Sequence, residues 1–199
     1  MKRTNTKEAL EYLSYLKGYI IFISLMFIIS TLMGYWYSSL NPSFANQTSS
    51  DMGELFAIIE SLNPLAIMLV IFLNNSIKCL IALLLGIGFG VIPLVFVTYN
   101  GFLIGTIFLI IGRLEGLLYV LIAIVPHGVI ELPMVFISAA IGIQLGHDLL
   151  NTLVGKKADI KKDFKKGTSF YVNWILPLLF FAAVVETFLT PLIMIMVLG

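Results

Sequence analysis

Seven side chains in this sequence could do chemistry where polar groups are costly: Asn74, Asn75, Lys78, Asn100, His127, Glu131 and Glu186. All lie inside long apolar runs. His127 and Glu131 are four residues apart, so a helix puts them on one face; the same holds for Asn74 and Lys78. Lys78, Asn100, Glu131 and Glu186 each fall near the middle of a separate apolar segment. His127 and the Asn74-Asn75 pair sit about one turn further out, at ~1.5 Å per residue. The simplest closed arrangement sets Lys78 between Glu131 and Glu186, with His127 nearby and the asparagines filling the remaining hydrogen-bond valences. An unpaired ion at that depth is prohibitive, so pairing or neutralisation is expected.

Such a constellation supports a proton-coupled or ion-conducting path past Lys78, Glu131 and Glu186, a metal site on His127, Glu131 and Glu186, or a pocket for a lipid headgroup or peptide. Beside these stands the plainer reading of a buried polar lock that fixes helix packing. The metal reading has helical ligand spacing in His-x-x-x-Glu, but it lacks the second histidine of the His-Glu-x-x-His zinc signature. A divalent metal there is the one cofactor the residues suggest. His147-Asp148 lies about five helical turns from His127, and His147 reads as interfacial. No Gly-x-Ser-x-Gly nucleophile, Gly-x-Gly-Asp pattern or Gly-x-x-x-x-Gly-Lys phosphate loop occurs.

The elements that must position these residues follow from composition. Of 199 residues, 59% are hydrophobic and only 12% are charged; the mean hydropathy is +1.02. A soluble domain of this size cannot hide that much apolar surface. This excludes a soluble enzyme, a nucleic-acid-binding module and a disordered tail. The fold class is all-α: a polytopic helical membrane protein of five transmembrane helices in one integral domain. The net charge of +1 identifies no partner, and the lone Cys79 can form no internal disulfide.

The first apolar run, Gly18–Met33, is closed by Tyr35-Trp36-Tyr37. Its length and aromatic end suit a membrane helix with an interfacial belt rather than a secretory signal. Residues 38–63 form a polar loop, within which Glu54–Leu62 has amphipathic spacing for a short interfacial helix. Pro64–Gly112 carries one basic residue and no acid, enough for two spans broken at Gly86-Ile87-Gly88-Phe89-Gly90. Leu117–Leu150 is a fourth span interrupted by Pro126 and Pro133, residues 151–167 are a basic loop, and Phe170–Leu198 is the fifth span. Asn46-Gln47-Thr48 matches an N-glycosylation acceptor, a triplet common by chance.

Charge placement sets the expected orientation. Four of the 12 basic residues lie in 1–17 and six in 156–166, leaving Lys78 and Arg113. The positive-inside rule puts both clusters in the cytoplasm, the N-terminus inside and the C-terminus outside. The outer segments then carry Asp51, Glu54, Glu60 and Glu115. No internal repeat or inverted symmetry is evident, which argues against a secondary transporter. Gly101-x-x-x-Gly105 and Ser138-x-x-x-Gly142-x-x-x-Gly146 offer close helix contacts, within the chain by preference or across a homodimer. The expected partners are the lipid bilayer and a membrane or cell-envelope protein, with no nucleic acid.

The runs Phe72-Leu73-Asn74-Asn75-Ser76, the glycines of 86–90 with Pro93, Asn100-Gly101-x-x-x-Gly105 and Pro126-His127-Gly128-x-x-Glu131-x-Pro133, with Ala139, Ala140 and Gly142, resemble the stage II sporulation protein M family over residues 15–198. The resemblance implies a small multi-pass protein of the cell membrane, in a family found also in archaea and in bacteria that never sporulate. In spore formers it implies a membrane anchor for two peptidoglycan-degrading proteins. The leading expectation is therefore a non-enzymatic scaffold or assembly subunit that works through outer residues such as Glu54, Phe56 and Glu60. A transporter or channel is the alternative, and an intramembrane metal-dependent enzyme is the third reading.

Overall fold

A computed structural model describes residues 5–198, apart from the side chains of Leu55, Phe56 and Glu60. Lys2 and Arg3 of the basic N-terminus also lie outside the described residues. The described chain is helical with no strand. Five helices are long and apolar enough to cross a membrane: Thr6–Leu40, Pro64–Ile87, Val91–Leu114, Leu117–Leu153 and Ile160–Leu198. We label the α-helical elements α1 (Thr6–Leu40), α2 (Pro42–Glu60), α3 (Pro64–Leu84), α4 (Val91–Leu114), α5 (Leu117–Leu153), α6 (Ile160–Phe170), α7 (Leu176–Val184) and α8 (Thr190–Leu198).

Local chemistry explains the boundaries. The α1 helix begins well before Gly18, because the Asn5 N–H donates to the Glu8 carboxylate at 3.3 Å and satisfies a free end of the first turn. Asn63 caps α3 by accepting from the Ala66 N–H at 3.0 Å, with Pro64 at the first helical position. The expected break at 86–90 is a 3₁₀ turn over Leu85–Ile87 followed by Phe89 and Gly90 at φ 58° and 73°. Proline cannot donate into the ladder, yet α5 runs unbroken through Pro126 and Pro133. In lipid the helix is the cheapest state even with a few bonds missing, and neighbours on several sides support it. The basic segment is also more ordered than a loop. Only Val154–Asp159 separates the helices, and Asp159 caps α6 by accepting from the Lys162 N–H at 3.1 Å. The helix at 54–62 is longer than expected, since α2 already starts at Pro42.

The last span keeps one path through two π-helical turns, Tyr171–Ile175 and Val185–Leu189. Each is followed two residues on by a proline, Pro177 and Pro191. A proline ring clashes with the carbonyl four residues back, and one wide turn relieves that clash. The Thr190 hydroxyl donates to the carbonyl of Val185 at 3.3 Å.

Helix α5 is central: it packs against α1, α3, α4, α7 and α8. The most extensive helix pair is α1 with α4. There Gly34 faces the backbone of Phe102, while Gly101 and Gly105 face Phe27 and Thr31. Any added Cβ would collide with those atoms. Buried hydroxyls finish the seam, with Ser38 to Thr106 at 2.9 Å and Ser30 donating to the Thr98 carbonyl. Gly142 and Gly146 of α5 meet Ala82, Gly86 and Gly90 in the same backbone-to-backbone way. Both small-residue stripes are thus used within the chain.

Candidate functional site

The polar residues of the apolar runs gather around α5, but not as one closed knot. Glu131 stands in the middle. On one side, Glu131, Lys78, Asn75 and Asn100 line a cavity of about 50 Å³ with Phe27 and Phe96. That space holds little more than a water. On the other side, His127 and Glu131 of α5 meet Glu186 of the π-turn, and one ligand atom from each lies within 4.8 Å of the others. Glu186 does not line the cavity that Lys78 lines. The structure therefore replaces the expected order, with Lys78 between the two glutamates, by Lys78, Glu131, Glu186.

Lys78 itself is exposed at the bundle surface. Its side chain nonetheless lines the cavity and its charge acts on Glu131. Asn74 is likewise exposed and donates to Asn75 at 3.2 Å. The Asn100 amide donates to the Phe96 carbonyl of its own helix at 2.7 Å, which leaves its oxygen for the cavity.

Glu186 owes its place to the wide turn, which re-aims side chains relative to a regular helix. It also forms a wall of a second space, a cleft of about 340 Å³ between the last span and the start of α3. Ile59, Pro64, Ile67, Ile71 and Thr187 are among the other residues that line that cleft. Two nearby polar atoms, His127 Nδ1 and the Thr187 hydroxyl, are buried without a hydrogen-bond partner.

A second polar group lies at the opposite end of the bundle, where α6 carries its lysines. Asp148 is buried and accepts from the buried Gln144 amide. Tyr19 shares a 2.6 Å hydrogen bond with His147, and the Lys166 ammonium lies 4.4 Å from the Tyr12 ring centroid. His147 is thus exposed, while Asp148 beside it is buried. The signal for this network was present: Tyr12, Tyr15 and Tyr19 at helical spacing, and Gln144 with Asp148 at i, i+4.

Comparison with known proteins places the sequence in a named family. The profile of stage II sporulation protein M matches residues 23–191. The chain belongs to the stage II sporulation protein M family. It is 28% identical over 170 residues to an uncharacterised protein of Methanocaldococcus jannaschii, covering 82% of this chain and 73% of that one. A second uncharacterised protein of the same archaeon is 31% identical over 130 residues, 60% of this chain and 68% of the relative. No solved structure matches it. Family membership and the five apolar helices together make this a membrane protein.

Proposed function

We propose that the protein is a non-enzymatic assembly subunit of the cell membrane, a rigid helical platform that holds α2 for a membrane or cell-envelope partner. The observation that supports this is α2 itself. It packs on α1 and α4, with Phe44 edge-on to Tyr37 and Phe102 and Ala45 buried. It leaves Glu54 and Ile58 exposed. Beneath it, α1 and α4 are locked by contacts of glycine with backbone, which suits a platform better than a moving part. The anchoring role that the family resemblance implies agrees with this reading.

The test is the size of the complex extracted from native membranes in mild detergent. The chain should migrate well above its own 22.1 kDa. Glu54→Lys with Ile58→Asp should shift it down, and Glu131→Gln should not. An unchanged complex in the α2 variant defeats the proposal.

One observation favours a second reading, transport: Glu186 belongs both to the mid-span cluster and to the wall of the cleft. Proton or cation flux in proteoliposomes that Glu131→Gln abolishes would support it, and flux no greater than in empty vesicles removes it.

A further inference from the structure

We propose that His127, Glu131 and Glu186 form a divalent-cation site that ties α5 to the last span and keeps a coordination position open toward the cleft beside Glu186. The first ground is geometry. Their ligand atoms lie within 4.8 Å of one another. Three ligands around one ion at ~2.0–2.2 Å stand roughly 3–3.5 Å apart, so closure needs only about 1 Å of side-chain rotation. Two ligands come from one face of α5 and the third from a wide turn of the facing helix, so the site joins elements far apart in sequence.

The second ground is unmet valence. His127 Nδ1 is buried with no hydrogen-bond partner, beside two carboxylates. Lys78 and Asn75 face Glu131 from the cavity side, whereas the charged group that acts on Glu186 is Glu131 itself. Two carboxylates at membrane depth need a positive charge between them or a shared proton. A histidine pointed at the pair favours a metal, because imidazole adds a lone pair that a proton-sharing dyad does not require.

The third ground is access. The cleft reaches Glu186 past the outer turns of α3, so an ion need not cross the packed core. Thr187, whose hydroxyl is buried and unpartnered, also lines this cleft and can orient a water on the ion. One imidazole with two carboxylates suits borderline divalent ions such as Zn²⁺, Mn²⁺ or Fe²⁺ better than Ca²⁺, which takes oxygen ligands only. Three protein ligands plus one open position is the pattern of exchangeable rather than closed zinc sites.

The experiment uses the full chain in detergent micelles, stripped with chelator, loaded with Zn²⁺ or Co²⁺ alone, desalted and measured by elemental analysis. About one ion per chain is expected, with cobalt d–d absorption of a low-coordinate site. Glu186→Gln and His127→Gln should each lower retention at limiting metal about tenfold or more, in line with the loss of a ligand. His147→Gln, in the other polar group, should change nothing. No retained ion in the wild type, or full retention in Glu186→Gln, overturns the proposal, as does loss in His147→Gln alone. Should the site variants fail to fold, X-ray absorption on the zinc-loaded wild type decides. One imidazole nitrogen with carboxylate oxygens supports the site, and an all-oxygen shell overturns it.

Discussion

The two polar groups along α5 are made of similar residues but are satisfied differently. At the lysine-bearing end, Asp148 accepts from Gln144, Tyr19 bonds to His147 and Lys166 rests over the Tyr12 ring. The protein supplies these partners itself, although Tyr12 Oη, Gln144 Oε1 and Thr168 Oγ1 at this end are buried without one. In the middle of the spans, His127, Glu131 and Glu186 converge next to a cleft, and His127 Nδ1 is buried without a hydrogen-bond partner. A set of polar groups that closes on itself contributes stability. A set that converges and stays open is built for something that comes from outside. The difference lies in backbone geometry: α5 is a regular helix at Gln144–Asp148, whereas Glu186 is presented by a π-turn.

Glycine substitutions give the largest expected contrast. An alanine Cβ at Gly146 would sit about 2.6 Å from the Gly86 carbonyl oxygen, with backbone atoms of Phe89 and Gly90 as close. Rigid backbone cannot yield, so Gly146→Ala should cost about 3 kcal/mol or more and leave little monodisperse protein on gel filtration. At Gly128, beside His127, the nearest atom is a methyl of Ile124 at an ordinary 3.5 Å. Gly128→Ala should be neutral or stabilising by up to about 1 kcal/mol through helix propensity. Equal effects at both positions would show that the two regions are packed alike.

The next contrast is between carboxylates. Asp148→Ala removes the acceptor of a buried amide and should destabilise by about 2 kcal/mol in thermal melts followed by tryptophan fluorescence. Glu186→Gln in chelator should leave stability unchanged or raise it by about 1 kcal/mol, because it removes one of two adjacent half-buried carboxylates. A loss at Glu186 as large as that at Asp148 would mean that the mid-span cluster is also a closed structural lock.

These contrasts also mark what could be read from sequence. The five spans and the break at Gly86–Gly90 followed from hydropathy and glycine placement, and the helices bear them out. The set His127, Glu131 and Glu186 followed from depth alone, because span ends fix the height of each residue. Rotation about the helix axis was not legible in the same way. The π-turns shift the register of the last span, so no regular 3.6-residue wheel could say which side of Glu131 faces Glu186. The order Lys78, Glu131, Glu186 was not legible for that reason, although Lys78 does stand beside Glu131. The network at the other end escaped because its lysines looked like a solvated loop. Only the capped helix α6 brings Lys166 against Tyr12.

The smallest expected effect tests whether that network is held by charge as well as by hydrogen bonds. Lys166 sits 4.4 Å from the centroid of Tyr12 and 5.9 Å from that of Tyr15, on the exposed face of α6. An ammonium over an aromatic face at an exposed site contributes about 0.5–1 kcal/mol. Lys166→Gln keeps a good helix former and much of the stem, so propensity changes little, and the loss should be about 0.5 kcal/mol. Lys166→Arg keeps the cation and stacks on rings at least as well, so it should restore the wild-type melting temperature. Lys165→Gln, one residue away and without a ring beneath it, is the control and should not move the melt. If both glutamine variants lower the melting temperature equally, the lysines act only as diffuse surface charge, and the lysine-bearing end is closed by hydrogen bonds alone.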